Sequence, residues 1–177
     1  VTGLTTVNTA EHWSPAPPGN TGDGLRLGEG VGAAVEDRYP NAAAWCPVSL
    51  VPRRDGPPGV FPHFIDRAKP GVIGVTRHGR RFTNEANSYH DYVQAMVAAC
   101  AGEREVASWL VTDHPTIRRY GLGFAKPFPV PVGQYVRSGY LHRGRTLREL
   151  AERAGIEPAG LEAFVDATPG APGVAPG

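Results

Sequence analysis

The sequence is poor in cysteine and carries almost no net charge. Only Cys46 and Cys100 occur among 177 residues, too few for a disulfide scaffold and in keeping with a reducing compartment. The formal charge of +1 leaves no basic excess to match nucleic-acid phosphates or an anionic membrane surface. We therefore expect neither of these partners, and we predict a cytoplasmic protein.

Long apolar runs are lacking as well. No stretch reaches the roughly 18 apolar residues that a transmembrane helix requires, so we predict no membrane span. We also identify no set of residues that would bind a metal. The chain starts at Val1, with neither an initiator methionine nor a signal-like segment, and we interpret it as an internal piece of a longer sequence.

Glycine and proline, by contrast, are abundant. The 23 glycines and 18 prolines predict many turns, short elements and a modest core. Short β-rich runs alternate with segments of helical spacing, so the sequence favours an α+β fold. The end of the chain, residues 168–177, has no apolar face, and we expect it to be disordered.

The first candidate site is a glycine-rich turn. Asp23 stands between Gly22 and Gly24 and is predicted to cap a helix over residues 24–38. The small neighbours would let a ligand hydroxyl reach both the backbone amides and the Asp23 carboxylate. The alternative is a plain capped helix that packs closely on a sheet. The pattern is not a GxGxxG fingerprint, because no apolar strand precedes it.

A hairpin and two further strands are predicted downstream. The hairpin pairs residues 71–76 with residues 81–83 across a four-residue turn that contains Gly79. The apolar runs at residues 45–51 and 106–112 are predicted to be strands. Residues 121–132 are apolar and broken by proline, which suits either the wall of an apolar pocket or a cover for the core.

The second candidate site lies at the start of a predicted helix. Ser88 and Asp91 have the spacing of a capping pair, and apolar residues recur at helical spacing up to Cys100. Tyr89 therefore falls in the first turn, at the positive end of the helix dipole, a setting that suits a proton acceptor. The alternative is a buried tyrosine whose hydroxyl is bonded to a backbone carbonyl.

Two more helices are predicted near the end of the chain. Thr146 and Glu149 form a capping box for the first of them. Gly155 ends that helix in the left-handed conformation. Pro158 then opens the second helix, because proline is well suited to the first helical position.

These motifs together resemble one family. Their order is similar to that of the fumarate reductase/succinate dehydrogenase flavoprotein superfamily, and within it to 3-ketosteroid dehydrogenase-type FAD-binding dehydrogenases. The resemblance covers about residues 20–167. It rests on Thr21-Gly22-Asp23-Gly24, on Gly79-Arg80-Arg81-Phe82-Thr83-Asn84-Glu85 with Tyr89 beyond it, and on Ser138-Gly139-Tyr140-Leu141 with Thr146-Leu147-Arg148-Glu149.

The resemblance implies a two-domain flavoprotein. Residues 1–49 would be a partial FAD-binding domain segment, in which Gly22, Asp23 and Gly24 contact the cofactor. Residues 50–167 would be the inserted substrate domain, which caps the flavin. Arg81, Asn84 and Glu85 would fix the turn that presents the catalytic residue.

The resemblance also implies a reaction. Tyr89 stands where fumarate reductases have a proton-transferring arginine and ketosteroid dehydrogenases have a tyrosine. It would take the α-proton of an apolar, steroid-like enone or ketone while hydride passes to flavin N5. The resemblance argues against a dicarboxylate substrate for two reasons. The His-Pro-Thr element of fumarate reductases is absent from this place, where the chain has Trp45-Cys46-Pro47-Val48-Ser49, and a tyrosine stands in place of the arginine.

Large parts of the family's FAD domain have no counterpart in this sequence. Both the dinucleotide-binding half and the C-terminal part of that domain are missing, so we expect that the isolated chain does not hold FAD and is inactive. Two other interpretations therefore stay open beside that of an enzyme fragment. One is a non-catalytic remnant or apolar-ligand module that does not hold FAD alone. The other is half of a split enzyme, whose missing FAD-domain segments a partner chain would supply.

Overall fold

The computed structural model describes residues 16–17, 19–36, 38 and 44–167. The chain divides into two compact units, Val1–Ala44 and Trp45–Gly177, each of which is described by itself. The predicted disorder of residues 168–177 lies outside the described residues. The functional boundary placed between residues 49 and 50 stays a prediction.

The fold mixes short helices and short strands, as the α+β prediction required. The described residues form six α-helices and four β-strands, in the order α1 (Asp23–Gly30), β1 (Val48–Val51), β2 (Gly59–Pro62), β3 (Val72–Val75), α2 (Tyr89–Ala99), β4 (Trp109–Thr112), α3 (His114–Tyr120), α4 (Gly133–Arg137), α5 (Leu147–Ala154) and α6 (Pro158–Asp166). A 3₁₀ turn, Asp66–Ala68, precedes β3. Within this described part of the chain, no helix combines the length and apolar character needed to cross a bilayer.

Helix α1 is shorter than predicted. It ends at Gly30 instead of continuing to residue 38, and none of its residues is buried. The residue before it is Gly22, in the left-handed conformation with φ 86°, and no side chain caps the helix. Asp23 is therefore the first helical residue and not the N-cap. Three glycines in the segment from Gly28 to Gly32 explain the early end, since each weakens a helix by about 1 kcal/mol.

The strand β3 pairs with a different partner from the one predicted. It forms an antiparallel ladder with β4, in which Val72 faces Thr112 and Val75 faces Trp109. Of the predicted hairpin, the structure contains only one β-bridge, which joins Val75 and Arg81. The turn between them is held by the Thr76 N–H, which donates to the Arg80 carbonyl at 3.0 Å. Strands β1 and β2 form a separate antiparallel pair.

Two hydrophobic clusters lie in the second unit, and β3 contributes to both. One cluster packs Ile73 and Val75 against α5 and α6, with Leu161 and Val165 fully buried. The other contains Val72, together with side chains from α3, α4 and the segment between them. Successive residues of a strand point to opposite faces, which is why one short strand serves two clusters.

Most helix ends of the second unit follow their sequence signals. Ser88 caps α2 and Thr146 caps α5, each through its side-chain oxygen. Gly155 ends α5 at φ 75°, and Pro158 opens α6, so these predictions are confirmed. Helix α3 was not predicted.

Candidate active site

Tyr89 is the first residue of α2, as predicted. The Ser88 Oγ accepts the Asp91 N–H at 3.1 Å and donates to the Asp91 carboxylate at 2.8 Å. The Tyr89 ring is half-buried and meets the ring of Phe64 edge-on, with centroids 5.2 Å apart. In the described part of the chain, no group is hydrogen-bonded to its hydroxyl. Within the described residues, the phenol is therefore held through its ring, by Phe64.

The buried tyrosine of this helix is Tyr92, one turn further on. It is 1% exposed, and its hydroxyl lies 3.0 Å from the Ser108 Oγ. Burial raises the pKa of Tyr92 to about 12. Tyr92 is thus the buried tyrosine of this helix, and its hydroxyl bonds to a serine side chain and not to a backbone carbonyl.

The turn before Tyr89 is fixed by Glu85, which is 4% exposed. Its carboxylate accepts the Gly74 N–H at 2.7 Å and an Arg81 N–H at 2.5 Å. The hydrogen bond to Glu85 raises the pKa of Arg81. Asn84 adds a turn of its own, because its side-chain oxygen accepts the Ala86 N–H at 2.9 Å. These contacts match the structural role expected for Arg81, Asn84 and Glu85.

A second guanidinium reaches the same turn from the interior. Arg67 is 2% exposed. It donates to the carbonyl oxygens of Glu85 at 2.5 Å and Asn87 at 3.0 Å. No sequence pattern indicates this contact, because residues 67 and 85 lie in different elements.

A buried polar network lies behind Phe64. The His63 Nδ1 lies 2.6 Å from the Asp66 Oδ2, and the His63 Nε2 lies 2.8 Å from the Ser49 Oγ. The Ser49 Oγ is in turn 2.7 Å from the Tyr140 hydroxyl. Burial raises the pKa of Tyr140. This network was missed, since residues 91 positions apart have no signal that joins them.

The network is closed at both ends by backbone amides. The Gly123 N–H donates to Asp66 at 3.0 Å, and the Phe124 N–H donates to the Tyr140 oxygen at 2.9 Å. Because a carboxylate only accepts, the proton of the His63–Asp66 bond sits on Nδ1. The His63 Nε2 and the Tyr140 hydroxyl are both hydrogen-bonded to the Ser49 Oγ.

The serine, histidine and carboxylate of this network are ordered as in a hydrolytic triad, but other groups of such a site are already engaged. Acyl transfer also needs free N–H donors that face a developing oxyanion. Here the N–H groups of Gly123 and Phe124 bond to Asp66 and Tyr140. The network therefore anchors the apolar segment at Gly123 and Phe124 to strand β1.

The first predicted cofactor residue, Asp23, lies on the surface of the first unit. Its side chain is 70% exposed and forms an ion pair with Arg26. The Thr21 hydroxyl also lies 3.4 Å from its carboxylate. Among the described residues, a Cβ added to Gly22 or Gly24 would meet no atom within 4 Å. No described side chain therefore covers the backbone at this turn.

The chain matches one known protein family over most of its length. The family model for the FAD binding domain matches residues 4–169. The chain belongs to this family, whose cofactor is FAD.

Two relatives and one solved structure show which kinds of dehydrogenase the chain is similar to. The chain is 42% identical over 151 residues to a 4-oxocyclohex-2-ene-1-carboxylate 5-dehydrogenase from Sinomonas cyclohexanicum, covering 85% of this chain and 25% of the relative. It is 31% identical over 161 residues to a 3-oxosteroid 1-dehydrogenase from Mycobacterium tuberculosis, covering 86% and 27%.

The solved structure is a 3-ketosteroid delta1-dehydrogenase from Sterolibacterium denitrificans in complex with 1,4-androstadiene-3,17-dione. It matches with a TM-score of 0.65 and 30% identity over 87% of this chain and 27% of that one. The chain thus spans about a quarter of the length of the relatives that it matches.

Proposed function

We propose that this chain is part of an FAD-dependent dehydrogenase that introduces a double bond next to a carbonyl group. Tyr89 takes the proton from the carbon beside the carbonyl. FAD, when bound, would supply the acceptor for the hydride that leaves the adjacent carbon. The chain contributes a segment of the FAD domain and the substrate domain, in a cytoplasmic enzyme of two domains.

One observation carries this proposal: the free hydroxyl of Tyr89 on a fixed support. A proton acceptor must lie within hydrogen-bond reach of the carbon acid, so its oxygen must not be bonded elsewhere. Tyr89 has that freedom among the described residues, whereas Tyr92 bonds to Ser108. The cap at Ser88 and the ring of Phe64 hold the phenol in place.

The residues at the start of α1 fit part of FAD. An exposed carboxylate accepts hydrogen bonds from hydroxyl groups, and the N–H groups of a first helical turn have no partner within the helix. Asp23 supplies the carboxylate, and Gly22 and Gly24 leave the backbone uncovered. We propose these three residues as cofactor contacts. The remaining FAD-domain segments would come from a longer chain or from a partner.

The proposed substrate is an apolar cyclic ketone of steroid-like character. The segment from Leu122 to Phe128 offers apolar surface in the second unit, with Phe124 41% and Phe128 71% exposed. The names of the two relatives refer to an oxosteroid and to an oxo-substituted ring carboxylate. These names share a keto group on a carbon ring, which is the group that makes the neighbouring proton removable.

The first experiment is a titration of the purified chain with FAD, followed by flavin fluorescence and by the unfolding temperature. Binding in the micromolar range that is clearly weakened in Asp23→Ala would support these residues as cofactor contacts. Glu36→Ala, at another exposed carboxylate of the same unit, is the matched control and should bind FAD like the parent chain.

A flavin-loaded chain then allows a test of Tyr89. Tyr89→Phe should abolish ketone dehydrogenation while leaving FAD affinity unchanged. No binding up to millimolar FAD would mean that the chain does not hold the cofactor alone, and the titration would be repeated with the missing FAD-domain segments added. Full turnover in Tyr89→Phe would reject the proposed role.

A further inference from the structure

Arg67 is the largest of the fully buried side chains. Its hydrogen bonds go to four backbone carbonyl oxygens and to no carboxylate among the described residues. The carboxylates of Asp66 and Glu85 are paired with His63 and Arg81 instead. A guanidinium in this position is unusual, because buried charges in proteins are generally paired with an opposite charge.

The four carbonyls belong to two short segments that flank Tyr89. Two of them, on Glu85 and Asn87, lie in the turn that leads into α2. The other two, on His63 and Phe64, receive N–H groups at 3.0 Å and 3.2 Å. Phe64 is also the residue whose ring contacts Tyr89. One side chain thus ties together the backbone on both sides of the phenol.

The chemistry of arginine suits this arrangement and that of lysine does not. A guanidinium presents five N–H donors in a rigid plane, whereas an ammonium is a compact charge on a flexible stem. The plane is further fixed by the Tyr92 ring, whose centroid lies 4.9 Å from the Arg67 Cζ. The planar Arg67 guanidinium can therefore hold the four backbone carbonyl oxygens in one fixed geometry.

We propose that Arg67 is a positioning residue for Tyr89. Its guanidinium fixes the turn at residues 85–87, which sets where α2 begins, and it fixes Phe64, which packs against the phenol ring. The part of this proposal that concerns catalysis rests on the proposed function. The effect of Arg67 on the position of Tyr89 does not depend on that function, and it can be measured on the isolated chain.

The test compares Arg67→Lys and Arg67→Met with the parent 177-residue chain. Two readouts report on position: amide hydrogen exchange at Asp91 and Tyr92, and the NMR contact between the Phe64 and Tyr89 rings. We expect Arg67→Lys to accelerate exchange at both amides about tenfold, the factor that corresponds to about 1.4 kcal/mol. The ring contact should weaken, and Arg67→Met should have the larger effect.

Arg118→Lys is the matched control. Arg118 also donates to a backbone carbonyl, that of Val130 at 2.9 Å, and also lies over a ring, that of Phe128 at 4.8 Å. It should leave exchange at Asp91 and the ring contact as they are. A folded Arg67→Lys chain with unchanged exchange and ring contact would overturn the proposal. Equal acceleration along the whole chain would also do so, because it would reveal a general loss of stability.

A variant-free measurement covers the case in which both substitutions prevent folding. In the parent chain at low denaturant, the Arg67 side-chain N–H and the Asp91 amide should exchange with the same opening free energy. An Asp91 amide that opens well before Arg67 does would show that the helix start is independent of the guanidinium, which contradicts the proposal.

Turnover separates this inference from the proposed function. In a flavin-loaded preparation, Arg67→Lys should lower kcat more than it raises KM, because binding surfaces stay in place while the acceptor is misplaced. If Tyr89→Phe retains full activity but Arg67→Lys still loosens the start of α2, the proposed function fails and the positional role stands. If Tyr89→Phe is inactive but Arg67→Lys leaves exchange unchanged, the proposed function stands and the positional role is overturned.

Discussion

The side chain of Tyr92 covers Gly74 so closely that no other residue fits at that position of β3. A Cβ on Gly74 would collide with the Tyr92 hydroxyl and would lie 3.2 Å from two ring carbons. Strand β3 is buried along its whole length, so neither partner can move into solvent. The close approach links the central strand to the helix that carries Tyr89.

We therefore predict that Gly74→Ala is destabilising. Overpacking of a buried site typically costs about 1–3 kcal/mol, and we expect a loss of this size in the free energy of unfolding, measured with denaturant. Gly133→Ala is the control, because its new Cβ would meet only the flexible end of Arg137 at 3.3 Å. Equal stability of the two variants would argue against the tight contact.

The buried phenol of Tyr92 should make the chain sensitive to alkali. Burial raises the pKa of Tyr92 from 10.0 to about 12. The unfolded chain therefore loses this proton first, and the contribution of Tyr92 to stability is present below pH 10 and lost as the pH rises through about 12. We expect the free energy of unfolding to fall by about 2–3 kcal/mol across this window.

Tyr92→Phe isolates that effect from other groups that titrate in alkali. The variant should show a smaller decline between pH 10 and pH 12 than the parent chain, in unfolding curves recorded at each pH. Parallel declines in the two proteins would mean that Tyr92 is not the group responsible.

His78 should titrate above its ordinary range. Its imidazole lies 2.9 Å from a Glu103 carboxylate oxygen and 3.3 Å from one of Glu157. These carboxylates, Glu103 first, raise the pKa of His78 above 6.5. Its stabilising contribution is therefore complete below pH 6.5 and is lost as the pH rises through the folded value.

An NMR titration of the His78 ring measures that value directly. His78→Gln should also flatten the fall in stability over the same pH window, whereas His142→Gln, at another exposed histidine, should not. A midpoint at or below 6.5 for His78 would contradict the contacts with the two glutamates.

Asp66→Asn should release the apolar segment at Gly123. Burial alone would raise the pKa of Asp66, but the hydrogen bond and charge of His63, with the Gly123 N–H, lower it below 3.8. Both donors bond to the same oxygen, Oδ2, and a neutral amide lacks the negative charge that strengthens these two hydrogen bonds. We expect a loss of about 1–3 kcal/mol and faster amide exchange at Gly123 and Phe124.

The sign of the acid response follows from the same carboxylate. The stabilisation by Asp66 is present above pH 3.8 and is lost as the pH falls through its lower folded value. Asp66→Asn should remove that part of the acid transition, while Glu152→Gln, at an exposed carboxylate of α5, should leave it. Slow exchange at Gly123 in a folded Asp66→Asn chain would refute the anchoring role.

Features with local signals were predictable from the sequence. Helix ends are determined by residues within one turn of each other, so they can be predicted from neighbouring positions in the sequence. This applies to the caps at Ser88 and Thr146 and to the end of α5 at Gly155. The position of Tyr89 in the first turn of α2 follows from the same cap. Helix α3 has such a signal too, because Asp113 is its N-cap and accepts the Thr116 N–H at 2.8 Å, and a proline at the start of a helix is compatible with it.

Features that depend on distant residues were not predictable. The pairing of β3 was assigned to residues 81–83 because a close glycine turn favours a hairpin, although the extended partner, β4, lies beyond α2. Arg67 and the Ser49–Tyr140 contact join elements far apart in sequence. Periodicity reveals which residues are buried, but not which polar groups meet inside.

The double role of β3 has a consequence for how the second unit unfolds. Val72 belongs to one hydrophobic cluster, and Ile73 and Val75 belong to the other. Loss of β3 would disrupt both hydrophobic clusters together, so we expect that neither cluster unfolds while the other stays folded. We expect the second unit to behave as a single cooperative block, with one transition seen alike by tryptophan fluorescence and by backbone signals.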